Sequence, residues 1–129
     1  MTTISTPQAP AAIGPYSQAV VFNGLIFASG QLPIDPATGA FPSDDPAEQA
    51  RQCLRNLAAI ARAGGSDLSR AVKVTVLMRD LARFGDVNDV FREVFTEPYP
   101  ARTTFEASGL PRGAQVEIDA IIAVGSDLT

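Results

Sequence analysis

DPAEQARQCLRNLAAIARAGG, residues 45–65, leads into VKVTVLMR, residues 72–79, and the change of period between the two segments decides the fold. In the first, Ala50, Cys53, Leu54, Leu57, Ile60 and Ala61 recur at the spacing of one helical face. Asp45 stands as N-cap and Pro46 takes the first helical position, where its missing N–H leaves no bond unmade. Glu48, three residues after the cap, completes a capping-box pattern with Asp in the Ser/Thr place. Gly64-Gly65 stops the helix. In the second segment Val72, Val74, Val76 and Met78 alternate with Lys73, Thr75, Leu77 and Arg79, the period of a strand. Cys53 lies on the apolar helical face and reads as a buried structural thiol.

Working outward, residues 17–22 and 25–30 are strand-like runs joined by Asn23-Gly24, the dipeptide that accepts both positive φ angles of a type I′ turn. A hairpin is predicted there. Pro33 to Asp44 reads as a loop, with a short strand near Phe41. A second helix is predicted from Arg83 to Phe95, with Phe84, Val87, Val90, Phe91 and Val94 on one face. Residues 102–107 and 115–124 read as two more strands.

The order ββ-α-β-α-ββ predicts an α+β fold, a mixed β-sheet with two helices on one face. In the last strand Val116, Ile118, Ala120, Ile122 and Val124 suit the helix-covered side. Gln115, Glu117, Asp119, Ile121 and Ala123 then face away from the helices. That second face also carries apolar residues, so it is expected to be an oligomer interface.

The 129 residues, 46% hydrophobic and 19% charged, fit one domain spanning the chain, 1–129. No apolar run approaches the roughly 20 residues of a membrane span. Met1 to Ala12 has no basic segment followed by an apolar one, so a soluble, cytoplasmic protein is expected. A net charge of −4 without a Lys/Arg cluster argues against nucleic acid as partner. One cysteine cannot form an intramolecular disulfide. The absence of histidine removes the His-dependent nucleophile systems and the usual zinc sites, so no metal is expected. No Walker or G-x-G-x-x-G loop recommends a nucleotide cofactor.

Chemistry is left to carboxylates, guanidiniums, hydroxyls and backbone groups. Arg102 follows Pro100-Ala101 at a strand start, and its planar fork matches a carboxylate; taken alone, the plainer reading is a solvated surface charge or salt-bridge partner. Glu117 lies inside an apolar strand, where partial burial would raise its pKa towards a range useful for proton transfer; taken alone, the plainer reading is an exposed polar residue on the open face. Asp119 shares its face and competes for that role. Tyr16 reads as a packing aromatic, Ser29 and Gly30 as a bend at a strand end, and Asn88 as a solvated helix residue.

Together these positions fall into a pattern. Gly14-Pro15-Tyr16-Ser17-Gln18-Ala19, Ser29-Gly30-Gln31-Leu32-Pro33, Val87-Asn88, Pro100-Ala101-Arg102-Thr103 and Gln115-Val116-Glu117-Ile118 resemble the RidA (YjgF) family in order and from about Ala9 to Val124. The resemblance implies a chorismate-mutase-like (YjgF-like) fold and a homotrimer with sites between subunits. It implies hydrolysis of 2-imino and 2-enamino acids, such as 2-aminoacrylate, to 2-keto acids and ammonia, as by a 2-iminobutanoate/2-iminopropanoate deaminase, without metal or organic cofactor. On that pattern Arg102 would hold the substrate carboxylate and Glu117 would position water or shuttle protons. Tyr16, Ser29, Gly30 and Asn88 would shape the pocket. Thr104 stands where many members carry cysteine, and can still make a hydrogen bond to substrate. The competing readings are a non-catalytic small-ligand-binding or regulatory trimer and a ribonuclease or translation inhibitor.

Overall fold

Asn23 and Gly24 sit at φ of 52° and 75°, and this turn joins the strands β2 (Ala19–Phe22) and β3 (Leu25–Gln31) as the dipeptide predicts. The structure is a computed structural model and describes residues 1–125. Before the hairpin lies β1 (Thr2–Ile4); after it come α1 (Pro46–Ala63), β4 (Ala71–Met78), α2 (Phe84–Val94), β5 (Ala101–Glu106) and β6 (Val116–Ala123).

The six strands form one sheet in the order β1-β2-β3-β6-β4-β5. Among the described residues only β4 and β5 pair in parallel, joined by α2; the other pairings are antiparallel. The last strand therefore fills the gap between β3 and β4 that the α1 crossover leaves open. Its alternation holds: Val116, Ile118, Ala120 and Ile122 are buried, while Glu117, Asp119, Ile121 and Ala123 are half-buried on the opposite face. The buried set joins Leu54, Leu57 and Ile60 of α1 and Val87, Val90 and Phe91 of α2 in one core. Phe27, Leu77 and Phe105 share the other face with Ile121, as the cross-strand register requires. Among the described residues no helix is long and apolar enough to cross a membrane.

The caps account for the helix limits. Asp45 accepts a hydrogen bond from the Glu48 N–H at 3.1 Å, while the Asp45 N–H turns to Ser43 Oγ at 3.0 Å rather than to Glu48. At the other end the Gly65 N–H bonds Arg62 O and the Ser66 N–H bonds Ala61 O, satisfying carbonyls that the last turn leaves free. Cys53 is fully buried and its thiol is pushed well up by burial, in keeping with a structural role.

Several details differ from expectation, the first strand of the hairpin, for one, beginning at Ala19 and not at Ser17. β1 was not foreseen, because three residues are too short to show a period; it forms by pairing Thr2 to Ile4 with Val21 to Ala19. Phe41 lies in no strand: the segment turns on Asp35, whose carbonyl accepts from the Thr38 and Gly39 N–H groups, and Phe41 packs under the Arg112 guanidinium at 5.4 Å. Val72 is 46% exposed instead of facing the core, because the β4–β6 register shifts between Ala71 and Lys73 and inverts the alternation there. The second helix begins one residue late, at Phe84, since Asp80 caps a 3-10 turn over Leu81–Arg83.

Candidate functional site

Arg102 stands in β5 opposite Val74, and Val74 is wholly buried under the helices, so this register directs Arg102 to the helix-covered side at the sheet edge. There Nη2 donates to Asn88 Oδ1 at 2.6 Å, and the guanidinium lies 5.2 Å from the Phe84 ring centre and 4.9 Å from that of Phe91. Two aromatic faces and a neutral amide hold the cation without neutralising it. No ion pair with a carboxylate engages Arg102 among the described residues; burial, and then the charge of Arg92, press its pKa below the usual arginine value. A rigid fork with unspent donors is a ready seat for a carboxylate. The seat opens into a small pocket of about 350 Å³ shared by Asn88, Phe91, Arg92, Tyr99 and Pro100. Thr104 has the same parity as Arg102 in β5, and its hydroxyl is enclosed with no hydrogen-bond partner among the described residues.

Glu117 is on the opposite face, across from Leu77. Facing it, β3 is irregular: Ala28 pairs with Ala120 but Gln31 with Ile118, so Ser29 and Gly30 form a bulge. A Cβ at Gly30 would lie 3.0 Å from Glu117 Cδ and 3.2 Å from Oε2, so a side chain there would press on the carboxylate. Ser29 Oγ donates to Ser17 O at 2.6 Å and the Ser29 N–H donates to Gln18 O at 2.9 Å. These bonds fasten the Gly14–Ser17 turn to the bulge. Tyr16 is left half in solvent at a cleft of about 1260 Å³ that Ser29, Gly30, Arg112 and Glu117 also line.

The two acids of β6 share a face but not a condition. Burial, and then the neighbouring charge of Asp119, raise the pKa of Glu117. Burial also raises that of Asp119, but hydrogen bonds from Thr75 and the charge of Lys73 oppose the rise. The neighbours of Asp119 thus favour its ionised form, whereas the neighbouring charge at Glu117 disfavours it.

Within one protomer the candidates form two groups. Tyr16, Ser29, Gly30 and Glu117 meet at the cleft on the open face; Asn88, Arg102 and Thr104 lie on the helix-covered side at the β5 edge. Sequence reasoning passed over the side chains that set the cleft walls. Buried Gln18 accepts from the Thr6 N–H at 2.7 Å and donates to Pro10 O at 2.8 Å, pinning the N-terminal segment beside the cleft. Buried Asn56 donates to Leu32 O and Ile34 O at 3.1 and 3.0 Å, and Gln49 receives the Gln115 N–H at 2.7 Å. Gln49, Gln52 and Asn56 form a polar stripe at helical spacing beside the apolar one, and that periodicity was a usable signal. Among the described residues no group of His, Cys, Asp and Glu is arranged to hold a metal ion.

The geometry has counterparts among known proteins. A family model described as Endoribonuclease L-PSP matches residues 6–124. The chain is 59% identical over 121 residues to a RutC family protein of Sinorhizobium fredii, covering 94% of this chain and 96% of that one. It is 48% identical over 122 residues to the bovine 2-iminobutanoate/2-iminopropanoate deaminase, covering 95% and 89% of the two chains. The crystal structure of RidA from an Antarctic Psychrobacter superposes with a TM-score of 0.92 at 41% identity, covering 96% of this chain and all of the other.

Proposed function

We propose that this chain, which belongs to the RidA/YjgF family matched by the Endoribonuclease L-PSP model, hydrolyses reactive 2-imino and 2-enamino acids to 2-keto acids and ammonia. The observation that carries the reading is Arg102: a guanidinium held in place by Asn88 and two rings, with no carboxylate partner among the described residues, suits the one group that every such substrate carries. Net charge of −4 and the absence of histidine weigh for small-molecule hydrolysis over RNA cleavage.

The chemistry needs few groups. An iminium carbon is already electrophilic, so the protein has to hold the carboxylate, orient water and move protons. Arg102 binds the carboxylate. Ionised Glu117 takes a proton from water as the oxygen bonds to C2, and the C=N π electrons pass to nitrogen, giving a carbinolamine. Protonated Glu117 returns the proton to that nitrogen. Glu117, ionised again, takes the hydroxyl proton as the C=O forms and the C–N bond breaks; ammonia departs and takes up that proton, so iminium plus water become keto acid plus ammonium. The raised pKa of Glu117 suits a group that must both take and return a proton. Gly30 leaves room at the carboxylate for water and substrate.

Arg102 and Glu117 project from opposite faces of one sheet, so one small substrate meets both only when they come from different subunits. We therefore extend the proposal to a homotrimer in which the open face, with Phe27, Leu77, Phe105 and Ile121, packs on a neighbour and sets its Glu117 cleft against an Arg102 seat. Light scattering reads the assembly: a mass near the 13.6 kDa protomer removes the composite site. The activity is tested by generating imines with an amino-acid oxidase and following their loss. Decay no faster than in buffer would favour the alternative of a ligand-binding or regulatory trimer.

A further inference from the structure

α2 presents a stripe of side chains to Arg102. Phe84, Asn88 and Arg92 follow at the four-residue spacing that stacks side chains along a helix. The first two already touch the guanidinium, as ring and as amide. Arg92 is the third, and it lines the same small pocket beside Tyr99. Its charge is felt at Arg102, where it opposes the cationic form. Two like charges converge on a pocket that no carboxylate lines among the described residues, which is unfavourable until an anion arrives. Arg92 Nη1 donates to Asp89 Oδ1 at 2.9 Å, but the two side chains are 66% and 74% exposed, and such pairs are weak and easily exchanged.

We propose that Arg92 is a specificity-determining residue: it selects 2-imino acids that carry a second carboxylate, binding the distal group while Arg102 holds the one beside the imine carbon. The occupants are imines with the carbon skeletons of oxaloacetate and 2-oxoglutarate. Glu117, which lines the opposite cleft together with Arg112, disfavours an anion beside itself. The phenol of Tyr99 at the pocket supplies a further hydrogen-bond donor.

The inference rests on Arg102 as carboxylate anchor, and the test separates the two. Binding of 2-oxoglutarate is compared with that of 2-oxopentanoate, which has the same chain length without the distal carboxylate, by calorimetry on the assembled protein. The ratio of kcat/KM for the corresponding imines is measured alongside. The native protein should favour the dicarboxylate by about three- to tenfold at low salt, the advantage shrinking as salt rises. Arg92→Ala should erase the preference and Arg92→Glu should reverse it. Asp89→Asn, by removing the competing counter-ion, should enlarge it, a change that a purely structural Arg92 would not produce. A ratio that is unity in the native protein, or that survives Arg92→Ala, overturns the inference. If Arg102→Ala leaves 2-oxopentanoate binding intact, the anchor itself is wrong; if it abolishes that binding while the ratio ignores Arg92, only the present inference fails.

Discussion

The two faces of the sheet treat their charged residues in opposite ways. At the β5 edge Arg102 is held by what surrounds it, two aromatic rings and the Asn88 amide. On the open face Glu117 is defined by what its neighbour lacks, since Gly30 carries no side chain to crowd the carboxylate. Side by side, the two would form an ion pair, which would hold Glu117 ionised and weakly basic and fill the donors of Arg102. On opposite faces neither partners the other within the chain. The separation thus keeps the guanidinium and a carboxylate of raised pKa apart within one small chain.

The largest effect expected on breaking this arrangement is at Glu117. Glu117→Gln keeps shape and removes the proton acceptor, and should lower kcat for imine hydrolysis by about 100- to 10,000-fold with the oligomer intact. Steady-state kinetics and light scattering on one sample check both halves. Arg102→Ala should lower kcat/KM by roughly 30-fold to several thousandfold, the cost of losing a buried charge partner at about tenfold per 1.4 kcal/mol. Arg102→Lys should recover only part, since a point charge cannot replace the fork or its stacking on Phe84 and Phe91.

Mixing these defects sharpens the comparison. Co-assembled Arg102→Ala and Glu117→Gln chains should regain about a quarter of native activity, the share of interfaces in a random mixture where an intact arginine faces an intact glutamate. A mixture as inactive as its parents would return both residues to one protomer's site.

The smallest effect concerns the neighbouring acid. Asp119 carries a negative charge that raises the pKa of Glu117, and the base form of Glu117 exists only above that pKa. Asp119→Asn should therefore shift the acid limb of kcat/KM to lower pH while costing less activity than Glu117→Gln. An unmoved limb would show that burial alone sets the pKa of Glu117, and a larger loss than at Glu117 would transfer the water-handling role to Asp119.

Most of this architecture was legible in the chain. Local rules sufficed for the hairpin at Asn23-Gly24, the Asp45 cap, the apolar stripe of α1 and the alternation of β6, because each depends on residues a few positions apart. Arg102 and Glu117 could be named as candidates, and Glu117 and Asp119 placed on one face, by the same means. The misreadings came where a distant partner overrode the local pattern. Val72 continues the alternation of β4 in sequence, but the register shift opposite β6 turns it to solvent. Phe41 resembles a strand residue, yet it serves as a platform for Arg112, remote in the chain.

By itself, then, the sequence determined the two helices and the longer strands, which side of β6 is apolar, and which side chains have chemistry to offer. Only the tertiary structure decided that Arg102 and Glu117 point to opposite faces. Alternation in residues 101–106, with Phe105 as its large apolar member, would send Phe105 to the core and Arg102 outward; pairing with β4 does the reverse. The physical reason is that period two fixes faces within a strand but leaves its phase free. That phase is set by hydrogen bonds to β4 and by the α2 rings that receive the guanidinium, neither of which a local window of sequence contains.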